Sequence, residues 1–247
     1  MSMLNKGRYR ARLADTKADI VAAQRLRALA FHGNSSDLTL DADAHDPVCE
    51  HILVEELSTK RLVCCFRMLH LNDGGEIQNS YSAQFYELSS LEQFDGPMVE
   101  MGRFCIHPEV NDPDVLRVAW GAMTRYVDDN GVEMLFGCSS FKGTDADPYL
   151  DAFAMLKERH LAPRRWLPRV KAPSVFNFAQ RLRRRKPDAK AAMLGMPPLL
   201  RTYLLMGGWV SDHAVVDPQM NTLHVFTGLE VGAIPPSRKR LLRAVAR

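Results

Sequence analysis

The chain has 247 residues, of which 46% are hydrophobic and 25% are charged, a globular composition that excludes collagen, coiled coil and extended disorder. Its longest apolar runs, Leu199–Val210 and Val48–Leu57, are too short or too interrupted to span a membrane, and its basic N-terminal residues do not resemble a secretory signal, so we expect a cytoplasmic protein. The net charge of +3 is small but unevenly distributed along the chain.

Hydrophobic periodicity and capping residues predict alternating helices and strands. In the N-terminal half we predict a helix at 15–30, a polar loop at 32–47, a hairpin of strands at 49–57 and 61–71, a loop with a short helix at 72–93, a strand at 97–106 and a helix at 112–131. Further along we predict a strand at 134–140, a helix at 147–160, a helix from 197 that ends at Gly207-Gly208, a strand at 223–231 and a frayed tail at 236–247. This order indicates one mixed α/β domain over 1–247.

The five cysteines lie in apolar, mostly strand-like runs and include no C-x-x-C pair. Their odd number and their spacing fit neither disulfides nor zinc, so we expect small buried thiols. The five are Cys49, Cys64, Cys65, Cys105 and Cys138.

A basic, Pro- and Arg-rich insertion is predicted at about 157–195. Between Lys157 and Lys190 there are 12 Lys or Arg against two acidic residues, which makes this segment +10 and the rest of the chain −7. Such a block attracts nucleic acid, anionic lipid or an acidic protein. Val175, Phe178 and Leu182 share one face of a predicted amphipathic helix that fits a membrane surface, and a solvated charge run is the alternative.

Sequence motifs exclude several chemistries. The chain has no Gly-rich phosphate loop, no Ser nucleophile elbow and no zinc-deaminase pattern, and we expect no metal. Three charged residues, Arg67, Glu100 and Arg103, instead lie inside apolar strands, where they must be paired or face a cavity. A bulge near Gly102 would bring Glu100 and Arg103 together. The three charged residues then form either an ion-pair network or a catalytic site, and both interpretations stay open.

Charged and aromatic residues follow one another in a recognisable order. The pattern Arg27-x-x-x-Phe31, Asp43-x-x-Asp46, Arg67 and Glu100-x-x-Arg103-Phe104 resembles the signature of the acyl-homoserine lactone synthases. Further motifs are more similar to the ornithine-lipid N-acyltransferases: Asp46-x-x-Cys49-x-His51, Tyr81-Ser82, Gly137-Cys138-x-Ser140-Phe141 and the run from Pro197 to Leu204. The resemblance covers about residues 10–235.

This resemblance implies an acetyltransferase-like (GNAT-like) α/β fold, with a central mixed sheet flanked by helices. It also implies transfer of a 3-hydroxyacyl chain from acyl carrier protein to the α-amino group of ornithine, giving lyso-ornithine lipid in the first step of aminolipid synthesis. Such a reaction must deprotonate an ammonium and hold it beside a thioester carbonyl. We assign Glu100 as the base, directly or through water, and Arg103 as its catalytic partner.

The remaining site residues are assigned to the substrates. Arg103 and Arg67 orient Glu100 or bind the amino-acid carboxylate, and Asp43 and Asp46 take the cationic end of the acceptor, with turn formation as the alternative role of the two aspartates. The resemblance implies that Arg27 and Phe31 shape the entrance for the donor, although an amphipathic helix also explains them.

The donor is expected to arrive on a carrier protein, and no tightly bound cofactor is expected. Where related folds use a glycine-rich loop to bind coenzyme A, this chain has the acidic run Glu109–Leu116. A donor with a single phosphopantetheine phosphate, carried on an acidic protein, suits the basic segment. Residues assigned to the acyl chain and the carrier are Phe104, Cys138, Ser140, Arg164, Arg165, Arg169, Arg183 and Arg184.

Three alternatives stay open. In the first alternative, the acceptor is another amino acid such as glutamine. In the second, the enzyme makes acyl-homoserine lactone, although those synthases usually carry Trp where this chain has His32-Gly33-Asn34. From a different class, the chain is a non-catalytic lipid- or nucleic-acid-binding module. Nucleic acid is not expected as a partner because Phe176 and Phe178 are weak support for aromatic residues interleaved with the basic ones. Peripheral contact with an anionic membrane would aid release of an amphiphilic product.

Overall fold

A computed structural model of the chain describes residues 2–33 and 40–246. The chain divides into two compact units, each assembled from segments that are distant in sequence. The first unit draws on Met1–His70, Met101–Val132 and Pro236–Arg247, and the second on Leu71–Glu100 and Glu133–Pro235. A single acyltransferase domain over 1–247 therefore stays a prediction.

Strands and helices alternate along the described residues. The strands are β1 Ser2–Lys6, β2 Tyr9–Leu13, β3 Glu50–Glu56, β4 Leu62–Leu71, β5 Tyr86–Glu87, β6 Met98–Ile106, β7 Met134–Lys142, β8 Arg169–Val170, β9 Val175–Phe176, β10 Trp209–Val210, β11 Ala214–Asp217 and β12 Thr222–Glu230. The helices are α1 Lys17–His32, α2 Pro113–Asp129, α3 Leu150–Arg159, α4 Phe178–Arg181, α5 Ala189–Gly195, α6 Pro198–Leu205 and α7 Pro236–Ala246. No helix in these ranges is long and apolar enough to cross a membrane.

In the first unit, antiparallel pairing joins β1 to β2, β2 to β3 and β3 to β4. The β3–β4 pair confirms the predicted hairpin and places Arg67 opposite His51. The strands are apolar because both faces are largely covered, and five consecutive residues of β3, 51–55, are buried. Arg67 is therefore an exception in its strand and needs buried partners.

Helix α1 confirms the prediction at 15–30 with a shift of two residues. Thr16 caps it: its hydroxyl accepts the N–H of Asp19, and the Asp19 carboxylate accepts the N–H of Thr16 in return. The helix ends at Gly33, whose φ of 65° is left-handed. One face of α1 packs against Leu53, Cys65 and Cys105. The polar loop that follows includes 34–39, which lie outside the described residues.

The predicted frayed tail is wrong for residues 236–246, which form α7 against α2 in the first unit. Arg243 makes two 2.9 Å hydrogen bonds to Asp128, and the Lys6 ammonium donates to the carbonyl of Ala244 at 3.0 Å. A Cβ at Gly121 would come within 3.1 Å of Val245, which shows how closely the tail approaches α2. Tertiary packing, rather than local sequence, holds this helix.

In the second unit the sheet is mixed. The first three residues of β6 pair in parallel with β7, and Glu100 lies opposite Phe136. A parallel pair needs a long crossover, and residues 107–133, which include α2, supply it. β7 then pairs antiparallel with β12 along nine residues, β12 with β11, and β11 with β9. The predicted strands at 97–106, 134–140 and 223–231 are confirmed, together with the mixed α/β architecture.

The amphipathic helix predicted in the basic segment is wrong. Residues 175–176 are a short strand, helix α4 covers only Phe178–Arg181, and the apolar side chains point into a core instead of outward. Phe178 is fully buried, and Phe176 and Leu182 are each 9% exposed among residues of α3 and β12. A core that needs these rings leaves no apolar face at 172–187 for a membrane.

Two further sequence expectations have clear outcomes. Residues 72–93 hold several short 3-10 turns and β5 in place of the predicted short α-helix. The cysteines are free; Cys64, Cys65 and Cys105 are buried as predicted, while Cys49 and Cys138 are partly exposed.

Candidate active site

A buried carboxylate in the second unit forms the first candidate cluster. Glu100, on β6, is 4% exposed, and its carboxylate accepts hydrogen bonds from Tyr81 and Ser82. The N–H of Tyr81 donates to Oε2 at 2.7 Å, and the N–H and hydroxyl of Ser82 donate to Oε1 at 2.8 and 2.5 Å. We name Glu100, Tyr81, Ser82 and Cys138 the Glu100 cluster.

Two 3-10 turns, Gly74–Asn79 and Ser82–Gln84, fix the donors of this cluster. Between them, the hydroxyl of Ser80 donates to the carbonyl of Ile77 at 2.7 Å and accepts the N–H of Ala83 at 3.2 Å. These bonds set the chain so that two consecutive backbone N–H groups point at one carboxylate. Such paired amides favour an anion between them, and Ser82, which is fully buried, adds its hydroxyl.

Two β7 residues assigned to the acyl chain differ in position. Cys138 is partly exposed, and its Sγ lies 3.4 Å from Ser82 Oγ, so it belongs to the Glu100 cluster. Ser140, two residues further on and opposite His224, is exposed. Both therefore lie on the strand that pairs with the first residues of β6.

A network of arginines and aspartates in the first unit forms the second candidate cluster. Arg27 and Asp46 make a two-pronged pair at 2.8 and 2.7 Å, and Arg67 makes another with Asp43 at 2.5 and 2.8 Å. Arg67 also donates to Asp46 at 2.7 Å. We name the Arg–Asp network by its six members, Arg27, Arg67, Arg103, Asp41, Asp43 and Asp46.

Arg103 joins this network through an unusual backbone. Its Nε and Nη2 donate to Asp41 at 3.1 Å and to Asp43 at 3.0 Å. Its φ of 53° is left-handed, which is rare for a residue with a Cβ and interrupts the regular alternation of β6. The bulge predicted near Gly102 stays a prediction, and the left-handed φ belongs to Arg103, three residues after Glu100.

Burial within the network is uneven. The side chains of Arg27, Arg67 and Asp46 are 1%, 3% and 5% exposed, whereas those of Arg103 and Asp43 are 14% and 22% exposed. Burial alone would raise the pKa of Asp46, but hydrogen bonds from Arg27 and Gln24 outweigh it and hold this pKa well below its ordinary value. The pKa of Asp43 is lowered likewise, because Arg67 outweighs the effect of burial. Both aspartates are ionised at neutral pH.

The network combines both roles considered for its aspartates. Asp43 Oδ1 accepts the N–H of His45 at 2.9 Å, a turn contact, while the same carboxylate binds two arginines. Three guanidinium groups face three carboxylates among the described residues. The network is therefore close to electrically neutral, with its accessible side formed by Arg103 and Asp43.

The aromatic residues of the signature pack on neighbouring apolar side chains. Phe31, at the end of α1, is partly buried against the apolar cluster of the first unit. Phe104 stacks on Phe66 with ring centroids 5.5 Å apart. Arg27 is almost fully buried, so it does not occupy the edge of an amphipathic helix.

The basic residues assigned to the carrier are all exposed. Arg165 pairs with Glu230 at 3.1 Å and Arg169 with Glu87 at 3.5 Å. Arg164, Arg183 and Arg184 make no ion pair with another described residue.

Sequence reasoning did not assign three residues that complete these clusters. Gln24 lies one helical turn before Arg27 and donates to Asp46 at 2.8 Å, and this i, i+3 spacing was the available signal. Asp41 precedes Asp43 by two residues in the same acidic loop, and Ser82 belongs to the Tyr81-Ser82 motif. Each signal becomes specific only when its partner is known.

The start of α2 already holds an anionic group. Asp112 caps the helix by accepting the N–H of Asp114 at 2.9 Å, and it binds Arg8 and the hydroxyl of Tyr9. A helix N-terminus attracts phosphate, but here a carboxylate of the chain itself occupies it. Among the described residues, no group of three or more His, Cys, Asp or Glu has a metal-binding arrangement.

Comparison with known proteins identifies the family. Residues 23–121 match the acetyltransferase (GNAT) domain. An L-ornithine N(alpha)-acyltransferase of Rhodobacter capsulatus is 32% identical over 239 residues, which cover 92% of this chain and 91% of that protein. The chain belongs to the L-ornithine N(alpha)-acyltransferase family.

A second relative and a solved structure are also similar to this chain. A Brucella abortus protein of the same name is 27% identical over 92% of this chain and 86% of its own length. FeeM, an N-acyl amino acid synthase from uncultured soil microbes, shares the fold, with a TM-score of 0.51 at 10% identity over 92% of this chain and 94% of that chain. The predicted acetyltransferase-like fold and acyltransferase activity are confirmed, so the chain is an enzyme and not a non-catalytic binding module.

The two clusters differ in chemistry. The Glu100 cluster presents a fixed, buried carboxylate, which suits proton transfer. The Arg–Asp network presents guanidinium and carboxylate groups, which suit an acceptor with both charges.

Proposed function

We propose that this enzyme transfers a 3-hydroxyacyl chain from acyl carrier protein to the α-amino group of L-ornithine, forming lyso-ornithine lipid. The observation that carries the proposal is the buried Glu100 carboxylate, held by three donors in a chain whose curated relatives are named L-ornithine N(alpha)-acyltransferases. Because carrier protein and free amino acids are cytoplasmic, the reaction belongs to the cytoplasm.

Glu100 is proposed as the general base. It takes a proton from the α-ammonium, directly or through water, and the neutral nitrogen attacks the thioester carbonyl. The C–N bond forms, the C–S bond breaks, the second nitrogen proton passes to the leaving carrier thiolate, and Glu100 returns its own proton to water. The three donors keep the carboxylate in one orientation, which supports a positioned base.

The accessible part of the Arg–Asp network is proposed to bind the acceptor. Arg103 binds the α-carboxylate, and Asp43 binds the side-chain ammonium of ornithine. Arg27, Asp46 and Arg67 are too buried for direct contact and hold these two residues in place.

Charge balance favours ornithine over glutamine. With its α-amino group neutral, ornithine carries one carboxylate and one ammonium, so its binding leaves a neutral network neutral. Glutamine in the same state carries only the carboxylate and would leave one negative charge without compensation, which is costly in a largely buried site.

A carrier-bound donor is supported by two features. Asp112 occupies the N-terminus of α2, where a nucleotide pyrophosphate would otherwise bind. The exposed Arg164, Arg165 and Arg169 supply positive charge for an acidic carrier, and Phe104, Cys138 and Ser140 are proposed to contact the acyl arm. The donor phosphopantetheine is a substrate group, and no tightly bound cofactor is proposed.

Product analysis tests the substrates. Purified protein receives 3-hydroxyacyl carrier protein or the matching acyl-coenzyme A, with an equimolar mixture of amino acids, and N-acyl products are identified by mass spectrometry. We expect N-acylornithine as the main product, formed faster from the carrier. Acylglutamine as the main product would reject the acceptor, and equal rates from coenzyme A would reject the carrier.

A further inference from the structure

A short segment around α5 exposes apolar side chains beside a dense group of cations. Met193 is 43% exposed and Leu194 is 87% exposed, while Ala192 is fully buried and fixes the inner side of the helix. Lys190 lies three and four residues before this pair, so all three side chains share the outer face of α5. The cations and the part of α5 up to Leu194 lie in residues 183–194, called the 183–194 segment below.

The cations of this segment are largely unpaired. It contains five basic residues against one acidic residue. Arg183, Arg184, Lys186 and Lys190 are exposed and form no ion pair with another described residue. Their charge is therefore available to an anionic partner.

The segment is held firmly in the second unit. The Lys157 ammonium donates to the carbonyls of Leu182 and Arg185, both at 2.9 Å, and the Arg185 side chain binds Asp151 at 3.2 and 3.0 Å. Asp188 then caps α5 by accepting the N–H of Ala191 at 2.7 Å. The exposed side chains thus project from an anchored backbone.

We propose that the 183–194 segment binds the surface of an anionic bilayer, with Met193 and Leu194 inserted at the level of the headgroups. Cations that attract the surface and an apolar pair that enters it are the two components of interfacial binding. Binding to a bilayer uses both the cations and the exposed Leu194 side chain, whereas the negative charge of an acidic carrier protein accounts only for the cations. Arg183 and Arg184, first assigned to the carrier, therefore suit the lipid surface better.

Vesicle binding tests this inference without any acyl donor, so its outcome is independent of the proposed reaction. The full-length protein is co-sedimented with phosphatidylcholine vesicles and with vesicles containing about 30% phosphatidylglycerol. We expect binding at least about tenfold stronger to the anionic vesicles, with release as salt is raised.

Two variants and a matched control separate the components. Met193→Ser/Leu194→Ser should weaken anionic binding at least about fivefold, since the inserted apolar surface is removed. Arg183→Glu/Arg184→Glu should weaken it by a similar factor. Val48→Ser, which removes a side chain 64% exposed in the first unit, should leave binding unchanged. Thermal melts confirm that each variant is folded.

Several results would overturn the inference. These are equal binding to neutral and anionic vesicles, no binding to either, or an equal loss in the Val48 control. If the arginine variant raises KM for carrier protein while vesicle binding stays unchanged, the segment is a carrier surface instead.

Discussion

Asp46→Asn tests whether the Arg–Asp network is a structural support. The Asp46 carboxylate accepts five hydrogen bonds: two from Arg27 and one each from Arg67 and Gln24 at 2.7 to 2.8 Å, and one from the N–H of Asp43 at 3.4 Å. Asparagine keeps the shape of the side chain but removes its negative charge. Its NH2 group then faces N–H groups of Arg27, Arg67 or Gln24, with which it cannot form a hydrogen bond. Two guanidinium groups, 1% and 3% exposed, then lose a counter-charge in a buried place.

The expected cost follows from that burial. Removing one partner of a buried ion pair destabilises a protein by about 3–5 kcal/mol. The control is Asp114→Asn, which removes a surface pair with Arg117 whose side chains are 58% and 52% exposed. A surface pair of this kind contributes about 0–1 kcal/mol.

Urea unfolding of the full chain measures both variants. The midpoint should fall by about 1 to 2 M for Asp46→Asn and by less than about 0.5 M for Asp114→Asn. Equal, small shifts in the two variants would refute the role of Asp46 as a buried support.

Three further predictions concern the two clusters and the core of the second unit. Ser82→Ala should lower kcat about tenfold, because a hydroxyl that donates to the Glu100 carboxylate is lost; an unchanged kcat would contradict this role. Asp43→Asn should raise KM for ornithine about tenfold while changing KM for glutamine little, measured by steady-state kinetics; equal changes would contradict the assigned contact. Burial lowers the pKa of His224 to about 4, so its protonation opposes folding and the stability it contributes is lost as pH falls from about 6.5 to 4. The wild type should therefore lose up to about 3 kcal/mol more than His224→Gln over this range, and equal losses in parallel urea titrations would contradict that cause.

Local sequence patterns predicted the elements that bury a regular face. α1 has its Thr16 cap, and α2 begins after Asp112 and has an apolar face. β6 is an apolar run that contains two charged residues, Glu100 and Arg103. In α7 the inner face is short, and its contacts with α2 come from a segment more than a hundred residues away. Nothing in the tail itself indicates that packing, so it was expected to fray.

The site was predicted in part for the same reason. Glu100 and Arg103 were noticeable because charges are rare inside apolar strands. The burial of Arg27 could not be predicted, because an arginine on a helix usually extends into solvent and because its partner Asp46 lies 19 residues away. The left-handed φ of Arg103 also depends on tertiary structure, because a residue with a Cβ gives no local signal for it.

The central claim is that Glu100 is the base for N-acylation. Its most direct test is the rate of N-acylornithine formation by Glu100→Gln, measured by mass spectrometry with saturating carrier-bound donor. The matched control is Glu55→Gln, another buried carboxylate, which is 8% exposed and binds Arg10 and Arg12. Unfolding curves for both variants confirm that each remains folded.

We expect Glu100→Gln to slow the reaction by about 10²–10⁴-fold and Glu55→Gln to change it less than about threefold. A folded Glu100→Gln variant that forms N-acylornithine at the wild-type rate would contradict the assignment of the base.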